Sequence, residues 1–218
     1  MFCSRQTWPF YNVYLGIVMV YSAVDPPNTY GKGKVHCELV YTTDPEMTAN
    51  WTRITPGRDF IPLGTPLGEG KGQWDSHVCF ATGVPVRMED EVYVFYMGGD
   101  GPHYSKPYPD PNHRNSSFGL AKLRQDGFIA LRARDGKAGT AKTIALDVTG
   151  SQLVVSADTA LAGASLSISV DGTKCAALSG ANVTDHPLAG CGALKAGGAA
   201  RLTVALVGEA RLYTVGFA

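Results

Sequence analysis

Five residues carry the side chains best placed for chemistry in this chain: Asp75, Glu38, His77, His103 and Trp74. Asp75 opens a predicted strand in the run Trp74-Asp75-Ser76-His77, and the two-residue alternation of a strand aims His77 to the same side. A carboxylate and an imidazole on one face can exchange hydrogen bonds with hydroxyl groups, and the carboxylate is the candidate for acid–base chemistry. The plainer alternative is a turn residue at a strand start beside a satisfied histidine. His103, in a Gly-Pro-His-Tyr loop after an apolar run, admits the same two readings. Glu38 lies between Cys37 and Leu39 on an apolar segment; a buried carboxylate shifts its pKa toward catalytic use unless a cross-strand arginine pairs with it. Trp74 sets an aromatic face next to the acid.

The remaining polar motifs read as structure. Glu89, Asp90 and Glu91 are adjacent, so they cannot all point into one site and form a solvated hairpin turn. Asp100 sits in Gly-Gly-Asp-Gly, which is turn chemistry. Gly31-Lys32-Gly33-Lys34 lacks the spacing and the following helix of a phosphate loop, and no serine-hydrolase elbow occurs. His36, His113 and His186 are scattered singly. The five cysteines show no CxxC or metal-ligand spacing, so neither a zinc site nor any other cofactor is expected.

Strands must position these side chains. In the first part, strands are predicted near Tyr11 to Tyr21, Lys34 to Thr42, Ser76 to Phe80, Glu91 to Met97 and Phe118 to Leu123. Breaks fall at Asp25-Pro26-Pro27, Asp44-Pro45, Pro62 to Gly72, Gly98 to Gly101 and Pro107 to Pro111. After the stretch Gly119 to Phe128 the aromatics thin out and the segments turn Ala/Gly/Ser-rich. Strands are predicted there at Lys142 to Val148, Gln152 to Asp158, Ser165 to Asp171, Arg201 to Val207 and Ala210 to Phe217. Leu166, Ile168 and Val170 alternate with Ser165, Ser167 and Ser169, the pattern of a sheet with one face wet. No segment shows a sustained helical period, so the fold class is all-β, with a domain over 1–125 and a small antiparallel β-sandwich over 126–218.

Lysine plus arginine equals aspartate plus glutamate at 19 each, so no net field favours nucleic acid or an anionic membrane. Cys37 and Cys79, on apolar strands, read as buried thiols, while Cys175 and Cys191 flank a loop and pair if the compartment is oxidising. Three of the six asparagines head glycosylation sequons, Asn50-Trp51-Thr52, Asn115-Ser116-Ser117 and Asn182-Val183-Thr184, which points toward secretion. The stretch Pro9 to Ala23 after Arg5 admits a leader peptide, but Tyr11, Asn12, Tyr14 and Tyr21 interrupt it and favour a buried strand. It is too short and too polar to span a bilayer.

Two longer stretches carry a family resemblance. Val35 to Arg53 pairs a strand with a turn and a tryptophan, and Trp74 to Gly99 runs from an aspartate through an acidic hairpin into YVFYMGG; both resemble blades of sugar-processing propellers. The segments GLAKLRQDGFIAL (119–131) and RLTVALVGEARLYTVGF (201–217) are similar to the propeller exit strand and closing strand pair of five-bladed β-propeller proteins related to glycoside hydrolase families 32 and 43. The order covers nearly the whole chain and matches the C-terminal part of such proteins.

The resemblance implies a partial propeller followed by a β-sandwich, and carbohydrate as partner. A blade takes roughly 40–50 residues, so residues 1–125 supply two or three of the five. An unclosed propeller presents sheet edges through which copies can self-associate. Glycoside hydrolysis needs two carboxylates flanking the scissile bond. The resembled enzymes draw their acids from early and middle blades, and the N-terminal ones have no counterpart here. Asp75 and Glu38 remain as catalytic candidates, with His77, His103 and Trp74 as sugar-binding ones. Two expectations follow: a glycoside-hydrolase-like protein of neutral saccharides, incomplete or inactive alone, or a non-catalytic carbohydrate-binding or structural β-module.

Overall fold

The computed structural model describes residues 2–22, 33–48, 50–65, 72–103, 109 and 113–218. The break at Asp25-Pro26-Pro27 and all but Pro109 of the Pro107 to Pro111 loop lie outside these residues. The protein is all-β: among the described residues there is no α-helix, only one short 3-10 turn at Arg134–Gly136, and one of the sheets curls as a half-barrel. The chain divides into two compact units, Met1–Lys122 and Leu123–Ala218.

The first unit is built on one sheet. Its strands are β1 (Phe2–Phe10), β2 (Val13–Ser22), β3 (Lys34–Thr42), β4 (Thr52–Arg53), β5 (Val78–Ala81), β6 (Val86–Met88), β7 (Glu91–Gly99) and β8 (Ser116–Arg124). They run in the order β1-β2-β3-β5-β7-β6, with β4 on β3 and β8 on β7. The predicted strand Tyr11 to Tyr21 is the second arm of a hairpin, and Tyr11 stands in its turn at φ 50. The β2–β3 ladder runs without a bulge from Tyr14↔Thr42 to Ser22↔Lys34. Five successive residues of β2, Leu15 to Met19, are buried, so both faces of this strand are covered.

A parallel pairing, Val35↔Val78, brings β5 beside β3. That step corrects the reading of two cysteines as free thiols. Cys37 and Cys79, both fully buried, form a disulfide across this junction, with Cα atoms 5.7 Å apart. Sequence could not pair them, because 42 residues separate them and only the crossover between non-consecutive strands makes them neighbours.

The second unit contains β9 (Leu131–Arg132), β10 (Ala138–Lys142), β11 (Leu146–Asp147), β12 (Leu153–Asp158), β13 (Ser165–Val170), β14 (Thr173–Lys174), β15 (Leu178–Ser179), β16 (Asn182–Pro187), β17 (Ala199–Ala200), β18 (Leu202–Val207) and β19 (Arg211–Phe217). One sheet runs β10-β18-β13-β14 with β15 on β13, the other β16-β12-β19-β9, and β11 pairs with β17. A single apolar cluster draws Leu166, Ile168, Leu202 and Leu206 from the first sheet and Leu153, Val155 and Leu212 from the second, the packing of a β-sandwich. On β13 the alternation predicted from sequence holds, with Leu166, Ile168 and Val170 buried. The predicted strand Lys142 to Val148 is instead split: β10 ends at Lys142 and β11 begins at Leu146. Cys175 and Cys191 form the second disulfide.

Candidate functional site

Asp75 lies in a turn, and the strand after it begins only at Val78, so two-residue alternation does not govern the sides taken by Asp75 and His77. Backbone hydrogen bonds place them instead. Ser76 N donates to Gln73 O at 2.9 Å and closes the turn, and Gly64 N donates to Asp75 O at 3.3 Å. One residue further, His77 N donates to Gly99 O at 3.0 Å while its own carbonyl accepts from Val35 N at 2.9 Å. This short segment is thereby laced between the end of β7 and the start of β3.

Asp75 is 9% exposed, and its Oδ2 accepts the hydroxyl proton of Tyr96 at 2.8 Å. Burial, then the hydrogen bond and charge of Asp75, push the Tyr96 phenol well above its usual range, so it stays a protonated donor. Asp75 is therefore a partnered carboxylate, unlike the hydrated acid at a channel mouth that a strand-opening residue would supply. Asp75→Asn, which keeps an acceptor for Tyr96, is the variant that changes its charge with the least damage to this contact.

Trp74 packs its ring beside that of Tyr96, with ring centroids 5.5 Å apart and planes inclined by 31°. Its indole rests on two glycines. A Cβ at Gly98 would stand 2.5 Å from the Trp74 ring atom Cζ3, and one at Gly119 would stand 2.2 Å from Cη2. Neither glycine has positive φ, so both are there for space rather than for backbone freedom. Held this closely, Trp74 still exposes 41% of its surface.

His103 lies on the Gly99 to His103 segment, and His77 is joined to that segment through its backbone bond to Gly99. The His77 Nδ1 and Ser76 Oγ lie 2.8 Å apart in a buried hydrogen bond. Burial, reinforced by the charge of Lys34, holds the His77 imidazole below its usual range, against the opposing pull of Asp100. His103 N donates to Gly33 O at 3.0 Å, and its ring lies 5.2 Å from Tyr21 and 5.9 Å from Phe80, centroid to centroid. Its imidazole too is held low, by burial and then by Arg114. Arg114 braces this segment by donating to the carbonyls of Pro102 and His103.

Glu38 has different company. Arg53 Nε and Nη2 donate to its two oxygens at 2.6 Å each, and Gly57 N adds a third bond at 3.1 Å. The pairing follows from register, since Val40↔Arg53 sets Arg53 diagonally across from Glu38. Only 4% of the Glu38 side chain is exposed. The structure thus ties Trp74 to Asp75 through Tyr96, and His77 and His103 to one loop, while Glu38 shares no hydrogen-bond partner with either pair among the described residues.

The cross-strand arginine offered as the alternative partner of Glu38 is Arg53, whereas Tyr96, the glycine seat and Arg114 were not foreseen from the sequence. A glycine inside a strand run is itself a signal of close approach, and the sequence carries it twice for the seat, at Gly98 in Tyr-Val-Phe-Tyr-Met-Gly-Gly and at Gly119 in the predicted strand Phe118 to Leu123. The others required the register. Compared with known proteins, the chain matches no family model and no curated protein.

Proposed function

We propose that the first unit is a glycoside-hydrolase-like β-module that binds neutral saccharides without turning them over, with the sugar seated on Trp74 beside Asp75. One observation carries the reading: Trp74, whose indole is seated on Gly98 and Gly119 and braced by Tyr96, is nevertheless 41% exposed to solvent. A rigid aromatic plane loses little side-chain entropy on binding, and the C–H face of a sugar ring is apolar surface that such a plane shields from water. Hydroxyls at the ring edge need hydrogen-bonding groups close by, and Asp75 is an acceptor next to the indole. A net charge of +0 suits a neutral ligand.

Binding is favoured over cleavage because of Glu38. Hydrolysis asks for two carboxylates facing one bond, about 5 Å apart for retention and wider for inversion. Both oxygens of Glu38 are engaged by Arg53 and its side chain is buried, so neither oxygen is open to a leaving group or a sugar carbon.

The reading is tested by NMR titration of the full chain with neutral mono- and oligosaccharides, on wild type, Trp74→Ala and Asp75→Asn, alongside an aryl-glycoside hydrolysis assay. Roughly millimolar affinity, about 4 kcal/mol, is expected, lost in Trp74→Ala, with no turnover. Shifts that persist unchanged in Trp74→Ala would place the sugar elsewhere. Robust hydrolysis that disappears in Asp75→Asn would make the module an enzyme.

A further inference from the structure

We propose that Asn182 is an N-glycosylation site whose amide nitrogen the fold holds open, and that Asn115, in an equally regular sequon, is not one. This inference stands apart from the sugar-binding reading. Asn50, Asn115 and Asn182 are all exposed, so exposure does not separate them. What each side-chain amide does elsewhere in the fold separates the latter two.

In glycosylation the Asn side-chain nitrogen bonds to the anomeric carbon of a glycosyl diphosphate donor. The carbon–oxygen bond to the diphosphate breaks, the diphosphate leaves with the electron pair, and one amide proton passes to a base of the transferase. The acceptor must therefore offer Nδ2, while its carbonyl can stay engaged.

Asn182 meets that condition. Its Oδ1 accepts from Arg124 Nη1, and the same guanidinium donates through Nη2 to Val183 O at 2.7 Å and Thr184 Oγ1 at 2.9 Å. One arginine thus spans the whole sequon. Arg124 is itself fixed, by the buried carboxylate of Asp126 at its Nε and by the Tyr213 ring 4.2 Å beneath its guanidinium carbon. With its oxygen anchored, Asn182 leaves Nδ2 without a hydrogen bond among the described residues. A glycan there leaves the Arg124 contacts in place. It also stands on β16, the outer strand of its sheet, where a bulky polar group hinders edge-to-edge pairing.

Asn115 fails the same condition. Its backbone N–H donates to Asp100 Oδ1 at 2.7 Å and its Nδ2 donates to Asp100 Oδ2 at 2.8 Å. The atom a glycan would need closes the connection between β7 and β8. An independent observation supports the compartment: the structure pairs Cys37 with Cys79 and Cys175 with Cys191, and such disulfides persist in the oxidising lumen where N-glycans are attached.

The test is a site map of the full chain secreted from a eukaryotic host behind a cleavable leader. Enzymatic deglycosylation in heavy-oxygen water marks each formerly glycosylated asparagine by its mass. We expect the mark at Asn182 and none at Asn115. Asn182→Gln and Thr184→Ala should each remove one glycan from the intact mass, and Asn115→Gln should remove none. If a variant is not secreted, the wild-type map still decides. An unmarked Asn182, or a marked Asn115, overturns the proposal.

Discussion

At the scale of single residues, position 119 is the most direct lever on the site, because an added methyl there meets the Trp74 ring at 2.2 Å and the Tyr96 ring at 2.9 Å. Gly119→Ala should cost about 1–3 kcal/mol in urea denaturation through overpacking, and should weaken saccharide binding as far as Trp74→Ala does. Normal stability with full sugar affinity would mean that the indole is not seated as described. The histidines make a second residue-level prediction. His77 and His103 are both held below the usual imidazole range, chiefly by burial. As pH falls through about 6.5 the unfolded chain takes up protons on these rings and the folded chain does not until lower pH, so stability is full above that value and declines below it. All three tryptophans, Trp8, Trp51 and Trp74, lie in the first unit, so their emission follows its unfolding alone. Urea midpoints read this way should drop from about pH 8 to about pH 5, and less steeply in His77→Gln. A curve that is flat, or unchanged by the substitution, removes His77 as the cause.

At the scale of elements, the two disulfides act on different strands. Cys37–Cys79 encloses a loop of 42 residues and Cys175–Cys191 one of 16, which corresponds to about 4 and about 3 kcal/mol of loop-closure stabilisation. Replacing Cys37 and Cys79 together by alanine should lower the tryptophan-detected midpoint, whereas replacing Cys175 and Cys191 should leave that midpoint in place and loosen the second unit. Backbone hydrogen exchange at β13 and β18 would report the latter. Legibility in the sequence also differs strand by strand. β3 was readable over the residues it occupies, Lys34–Thr42, because Val35, Cys37 and Leu39 alternate with Lys34, His36 and Glu38, the two-residue period of a strand. β1 was not, since Phe2–Phe10 mixes polar and apolar residues, contains Pro9, and meets its partner at a turn where a tyrosine rather than a glycine takes positive φ. β16, Asn182–Pro187, is polar almost throughout because it is an outer strand, so no apolar period announced it. Within the site, the acid, the tryptophan and the histidines stood out by type. Their partners Tyr96, Arg53 and Arg114 did not, because register and long-range hydrogen bonds select them.

At the scale of the whole molecule, equal numbers of acidic and basic residues remove any general field that would gather a charged partner. A sugar held by ring stacking and hydrogen bonds should then bind with an affinity that changes less than about twofold between low and high salt. Calorimetric or NMR titration at about 0.05 M and about 0.5 M sodium chloride measures this, and a steep loss at high salt would point to an anionic ligand instead. Each unit has a disulfide of its own, and the second has its own sandwich core, so damage to one should leave the other folded.

The glycine seat also carries an evolutionary consequence. Trp74, Gly98 and Gly119 form a three-way steric constraint in which no member can change freely while the other two remain. Across descendants of a common ancestor these three positions should substitute together or not at all, and a lineage with alanine or serine at 119 should have replaced the indole by something smaller. That coupled drift would separate lineages that retain the platform from those that have abandoned it, even where every strand is preserved.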